Sequence, residues 1–196
     1  MIVLEDCTAA ELRTGRMPRI GWAVGVDLAS RTVQILGTDT AEPMRFWAAA
    51  KGLPGFLPMA HRMWIPAEPK DEVPDVQLRC WVNGDIRQDA RANHMAYRPS
   101  QVLAKAAALL GRPLQAGDRV LCGTPEGLPL KAPAWQRRLA ALGGDRFAKL
   151  DAAIKMYVDG AGFLRPGDIV EFDAGFVGNA SARIDVPNDG CERHAS

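Results

Sequence analysis

The sequence predicts a β-rich α+β fold with a few peripheral helices, and three observations carry that expectation. Asn83-Gly84 lies between apolar-alternating flanks in LRCWVNGDIRQ (78–88). That pair suits a type I′ hairpin turn, which needs positive φ at both central residues. A turn pattern occurs twice, at Leu114–Val120 and Leu164–Val170, each time with Gly-Asp launching an apolar strand. Two copies are too few for a solenoid and suit a β core with repeated hairpin corners. Finally, Ile20–Val26 is a continuous apolar run of the length of a buried strand.

The 196 residues suit one domain, placed at 1–186, with 187–196 as a flexible tail. Hydrophobic residues are 47% and charged residues 24%, enough apolar side chain for a core. Lys+Arg number 24 against 23 Asp+Glu, so no charge excess points to nucleic acid or an anionic membrane. No apolar run reaches the length of a span, and MIVLEDC meets Glu5 and Asp6 too early for a signal peptide. Cys7, Cys80, Cys122 and Cys191 are widely spaced and read as reduced thiols of a cytoplasmic protein, not a zinc or disulfide framework.

In chain order, Asp27 follows the first strand, and Asp27, Arg31 and Gln34 recur at helical spacing as one polar stripe. Thr38–Pro43 reads as loop, and Phe46–Ala50 as a helical turn or short strand ending at Lys51. Three prolines and two glycines in KGLPGFLPMAHRMWIP (51–66) predict extended chain and tight turns. Leu78–Val82 pairs with Ile86–Gln88 across Asn83-Gly84. Asp89–Pro99 is polar loop. Ser100 caps a helix over Gln101–Leu110, whose stripe is Val102, Leu103, Ala106, Leu109 and Leu110, and Gly111 stops it. Ala132–Val158 reads as two amphipathic helices broken near Gly143-Gly144, an insertion between the two Gly-Asp corners.

Five segments, in order, resemble the fumarylacetoacetate hydrolase family. VDLASRTVQ (26–34) is similar to the family's N-D-x-[ST]-x-R-[DE]-x-Q. Lys51 with GLPGFLPM is similar to G-K-[SG]-x-[DP]-x-F-x-P-x-G. LRCWVNGDIRQDA (78–90) resembles the V-N-G-E hairpin, GDRVLCGTPEG (117–127) resembles G-D-[VL]-I-x-[TS]-G-T-P-x-G, and LRPGDIVEF (164–172) resembles the closing L-x-x-G-D-x-V-x-[VF]. Order and context give such motifs their force.

The resemblance implies a mixed β-sandwich roll, the C-terminal catalytic domain of that family. It implies carboxylate-held Mg²⁺ or Mn²⁺ and chemistry on small 2-oxo or 2,4-dioxo acids: C–C hydrolysis, decarboxylation or enol–keto isomerisation. Carried over residue by residue, Asp27 is the metal ligand. Arg31, Gln34 and Lys51 are the catalytic and substrate-orienting residues. Gly123 and Thr124 cradle a substrate carboxylate, as turn nests do. Val26 stands where the family has Asn, and no Glu-x-Glu metal pair occurs anywhere in the chain. The resemblance places that pair and the lid with its His–Glu dyad upstream of MIVLEDC. The expectation is therefore either an enzyme completed by a homodimer or a partner chain, or an inactive or split-enzyme fold-mate acting as a partner subunit.

Each residue also has a plainer reading. Asp27 can cap a helix and pair with Arg31, and Arg31, Gln34 and Lys51 can be ordinary surface groups. Gly123 and Thr124 can be simple turn chemistry. His61 and His94 miss the family's catalytic histidine. Glu171 and Asp173 can form a surrogate carboxylate pair, although alternation on a solvent-facing strand explains them more simply.

Overall fold

The computed structural model describes residues 1–37, 40–123 and 163–185, together with Phe147 and Asp151. Strand β1 (Ile2–Val3) pairs antiparallel with β2 (Ile20–Gly21), Ile2 opposite Gly21 and Val3 opposite Ile20. On its other side β1 takes the first Gly-Asp corner: the Val3 amide donates to the Asp118 carbonyl and the Gly117 amide to the Val3 carbonyl. Between β1 and β2, helix α1 (Ala9–Arg13) is started by Thr8, whose hydroxyl accepts from the Glu11 amide while the Glu11 carboxylate accepts from the Thr8 amide. This reciprocal cap satisfies two donors that the first turn would leave unpaired.

The expected strand over Ile20–Val26 is regular only at β2. Beyond it the chain stays extended and runs antiparallel to residues 56–64, through paired bonds between Trp22 and Trp64 and single bonds from Ala60 to Val24 and Val26 to Pro58. Pro58 has no N–H to give to a ladder, and that partner forms bridges instead of a strand. Helices α2 (Arg31–Leu36) and α3 (Pro43–Lys51) follow, the second resolving the Phe46–Ala50 alternative as helix.

Strands β3 (Gln77–Val82) and β4 (Asp85–Arg91) form the expected hairpin, with Asn83 at φ 53° and Gly84 at φ 86°. The strand continues to Arg91 and a 3-10 turn follows at Ala92–His94, where a polar loop was expected, because Gln77–Arg79 supplies partners as far as Arg91. Helix α4 (Pro99–Leu110) begins one residue before the expected cap. Ser100 lies in its first turn and donates its amide and hydroxyl to the Asp71 carboxylate, each at 2.7 Å. Gly111 ends the helix at φ 64°. Leu103 and Ala107 face the core, whereas Leu109 and Leu110, expected in the stripe, are exposed.

The second corner launches β5 (Ile169–Asp173). After a 3-10 turn at Gly175–Val177 comes β6 (Asn179–Arg183), giving an antiparallel sheet in the order β4-β3-β5-β6. One core joins the two regions: Met1, Val3, Leu12, Ile20 and Trp22 pack with Leu103, Leu114, Ala174 and Val177. The segment after the first corner, expected as a strand, is reduced to a bridge between Arg119 and Ile2. The helices expected over Ala132–Val158 and the tail 187–196 lie outside the described residues, except that Phe147 and Asp151 are helical and exposed. Among the described residues no helix is long and apolar enough to cross a membrane.

Candidate functional site

The extended pairing of residues 20–28 with 56–64 ends where the Leu28 amide donates to the Phe56 carbonyl, and this delivers Asp27 to the end of the ladder. The chain then turns. Ser30 donates its amide to the Ala50 carbonyl at 2.9 Å, and its own carbonyl accepts from the Gln34 amide to open α2. Arg31 and Lys51 are the next residues after that Ser30–Ala50 bond, so the start of α2 meets the end of α3. Gly37 closes the other end of the junction: a Cβ there would lie 2.2 Å from the Phe46 Cβ, so only glycine permits this approach.

At this junction the Lys51 ammonium is ion-paired with the Asp27 carboxylate, the two side chains 26% and 28% exposed. Lys51 Nζ also stands 5.5 Å from the ring centroid of Trp47, one turn earlier on α3, within cation–π range. Arg31 donates from Nη1 to Gln34 Oε1 at 2.7 Å. Gln34 is buried, and its Nε2 has no hydrogen-bond partner among the described residues.

The structure thus brings four of the six expected residues to one helix junction as two side-chain pairs, Asp27 with Lys51 and Arg31 with Gln34, and changes their pairing. Asp27 is not on the helical stripe: α2 begins four residues later, and Ser30, not Asp27, precedes it. Its partner is Lys51, not Arg31, because Asp27 lies at the end of the extended pairing, outside the helix that carries Arg31. Gly123 is described, at φ 91°, and Thr124 lies outside the described residues. Sequence reasoning missed Trp47, although its i,i+4 spacing to Lys51 was there to be read, and missed Ser30 as the tether.

Glu171 and Asp173 are on β5, where Val170 and Phe172 point inward and Glu171 outward, as the alternating reading expects. They border a shallow concavity of about 600 Å³ with Trp81, Asn179 and Ser181 on the open face of the four-stranded sheet. His61 and His94 are exposed.

A hard divalent cation needs about six oxygen ligands, several of them fixed carboxylates. Among the described residues no three His, Cys, Asp or Glu side chains cluster to hold a metal, and the one carboxylate at the junction is already engaged by Lys51. The remaining groups are a guanidinium, an ammonium and an amide nitrogen, all donors. The described residues at the junction do not fit a divalent metal.

Comparison with known proteins places these features. The mitochondrial oxaloacetate decarboxylase of Dictyostelium discoideum is 25% identical over 135 residues, covering 69% of this chain and 59% of that protein. The mitochondrial oxaloacetate tautomerase of Mus musculus is 30% identical over 115 residues, covering 57% of this chain and 48% of that protein. The chain therefore spans about half the length of the curated relatives it matches. The fumarylpyruvate hydrolase of Pseudomonas aeruginosa, solved with Mn²⁺ and pyruvate, superimposes with a TM-score of 0.62 at 17% identity, covering 94% of this chain and 62% of that one. Its fold is shared, as the α+β expectation required. The family model described as fumarylacetoacetate (FAA) hydrolase C-terminal matches residues 19–185, from β2 through β6, and the chain belongs to that family.

Proposed function

We propose that this chain acts on small 2-oxo acids, and that oxaloacetate decarboxylation or enol–keto isomerisation is its reaction, ahead of C–C hydrolysis. The observation that carries this reading is the meeting of Asp27, Arg31, Gln34 and Lys51 at the α2–α3 junction. The names of the curated relatives supply the substrate class. In decarboxylation the C–C bond to the departing carboxylate breaks and its electron pair moves to the 2-oxo oxygen. The resulting enolate needs positive charge beside that oxygen, and the Lys51 ammonium provides it. Arg31 takes the remaining carboxylate, for which its planar fork is suited. Asp27 orients the Lys51 ammonium through their ion pair. The family resemblance assigns Gly123 and Thr124 to the same substrate carboxylate.

No general base is assigned, which favours decarboxylation because that step requires no proton abstraction. The Mg²⁺ or Mn²⁺ that the family resemblance suggests would find one carboxylate at the junction, already engaged by Lys51. Incubation of the purified chain with oxaloacetate, following loss of enol absorbance and formation of pyruvate, tests the reading. Activity abolished by Arg31→Met supports it, and inactivity toward oxaloacetate and diketo acids ends it.

A second reading has its own observation: a lone carboxylate at the junction suits a subunit that functions with another chain carrying more. It predicts no turnover alone and turnover in a homodimer or a mixed complex, which sedimentation with a parallel assay resolves. We place the protein in the cytoplasm, where Cys7, Cys80 and Cys122 would persist as the free thiols they are.

A further inference from the structure

We infer that the α2–α3 junction binds its oxo-acid carboxylate through this chain's own cations and is weakened, not assisted, by a divalent metal. The inference rests on reading the junction as an oxo-acid site. It departs from a metal-centred arrangement because of the chemistry of the groups present.

Charge comes first. Two cations, Arg31 and Lys51, share the junction with one carboxylate, Asp27. A divalent ion seated on Asp27 would have to displace the Lys51 ammonium and remain beside it, with Arg31 at the start of the adjoining helix. An anion meets the opposite field. Like charges in a partly desolvated site repel more strongly than in water, so the sign of the cluster selects the ligand.

Donor inventory comes second. The Lys51 ammonium has three N–H groups, and the Asp27 carboxylate accepts from one of them. The Gln34 amide turns its oxygen to Arg31 and leaves its nitrogen buried without an acceptor among the described residues. A buried amide donor left unsatisfied is unfavourable, and an arriving carboxylate oxygen supplies the missing acceptor. A metal ion cannot, since it accepts no hydrogen bond.

Support for the ammonium comes third. The substrate's 2-oxo oxygen competes with Asp27 for the Lys51 ammonium. The ring of Trp47, 5.5 Å from Nζ and on the same helix, gives the ammonium a second, uncharged partner that does not move with the ligand. Trp47 is thereby a positioning residue for Lys51. The Asp27 and Lys51 side chains are each about a quarter exposed, so a small anion can reach them.

The test is calorimetric titration of the full chain with oxalate, an inert planar mimic of a 2-oxo-acid enolate. Protein and buffer are stripped of metal on a chelating resin, and the titration is repeated with added Mg²⁺. Oxalate is expected to bind the stripped protein at one site, and Mg²⁺ is expected to weaken that binding. Lys51→Met should reduce affinity at least about tenfold, as expected for loss of a charge-assisted hydrogen bond. Lys51→Arg should retain most of it, which separates a lost charge from a lost fold. Trp47→Leu should weaken binding about two- to fivefold and Trp47→Phe less, in line with an exposed cation–π contact. Binding that appears only when Mg²⁺ or Mn²⁺ is added would overturn metal independence and leave the oxo-acid reading standing. No binding under either condition would overturn both.

Discussion

The two Gly-Asp corners carry the same sequence pattern, fold into the same turn and then part company. In each, glycine takes a positive φ, 98° at Gly117 and 95° at Gly167. In each, the aspartate amide donates to the carbonyl three residues back, Gln115 or Arg165, and its carboxylate accepts that residue's amide in return. Each glycine amide is held by a distant carbonyl at 2.8 Å, Val3 for the first corner and Ile184 for the second. Yet the first corner is anchored on its entry side, by the fully buried Leu114, and its exit makes one bridge before the chain reaches Gly123. The second is anchored on its exit side, by Val170 and Phe172, and continues as a central strand with partners on both edges. Local residues fix the turn, and distant partners decide whether a strand forms beyond it. The corner that leads toward the candidate carboxylate cradle is the one whose exit is left out of a sheet.

The largest expected difference lies in those exits. Phe172 and Cys122 occupy equivalent places five residues after their glycines. Phe172→Ala should destabilise the protein by about 3–5 kcal/mol, because a buried ring leaves a cavity in the sheet's inner face. Cys122→Ala should cost less, about 1 kcal/mol, since the small half-buried thiol packs at the edge of the core and its loss removes far less volume than that of a ring. Urea unfolding of both variants measures the contrast. Equal losses would mean that the first exit is as much part of the core as the second.

The turns themselves should be alike. A Cβ at Gly117 or Gly167 would meet nothing within 4 Å, so alanine there introduces backbone strain without a clash. Each substitution should cost about 1–3 kcal/mol, and the two values should agree closely. A silent Gly117→Ala beside a damaging Gly167→Ala would show that the first turn relaxes because little is built on it.

Legibility in the sequence divides along the same line. The Asn83-Gly84 hairpin, the Gly111 stop and the shared helical face of Arg31 and Gln34 are set by neighbours within a few residues, and spacing exposes them. Thr8 and Glu11 also form a local signature, and it was overlooked. The Ser100–Asp71 cap and the Asp27–Lys51 ion pair join residues 29 and 24 positions apart, where no periodicity points from one to the other. Asp27 was therefore placed on a helix it does not join. Family resemblance brought Asp27 and Lys51 to one site without specifying that they would pair.

The smallest expected effect distinguishes the aspartates of the two corners by their partners. Hydrogen bonds from the Arg112 guanidinium, then from the Gln115 amide, hold the Asp118 carboxyl down to about 2. Asp168 is also lowered, first by the Arg165 amide and then by the Asn83 side chain. A carboxylate whose pKa is depressed on folding stabilises the native state at pH values above its unfolded pKa, and that contribution is lost as pH falls through the folded one. Asp118→Asn should therefore lower Tm at neutral pH, and the gap to the parent should close between about pH 4 and about pH 2. Asp168→Asn should have the same sign. Salt separates them. Arg112 and Asp118 form an exposed ion pair, bidentate at 2.8 and 2.9 Å, whereas the main partners of Asp168 are neutral N–H donors. At roughly 1 M NaCl the Debye length falls to about 3 Å. The Asp118→Asn gap should then shrink, and the Asp168→Asn gap should stay nearly constant. Thermal melts of the three proteins across pH, at low and high salt, measure this. Equal salt sensitivity would mean that charge contributes no more to the first corner than to the second, and that the neutral N–H bonds common to both turns account for both aspartates.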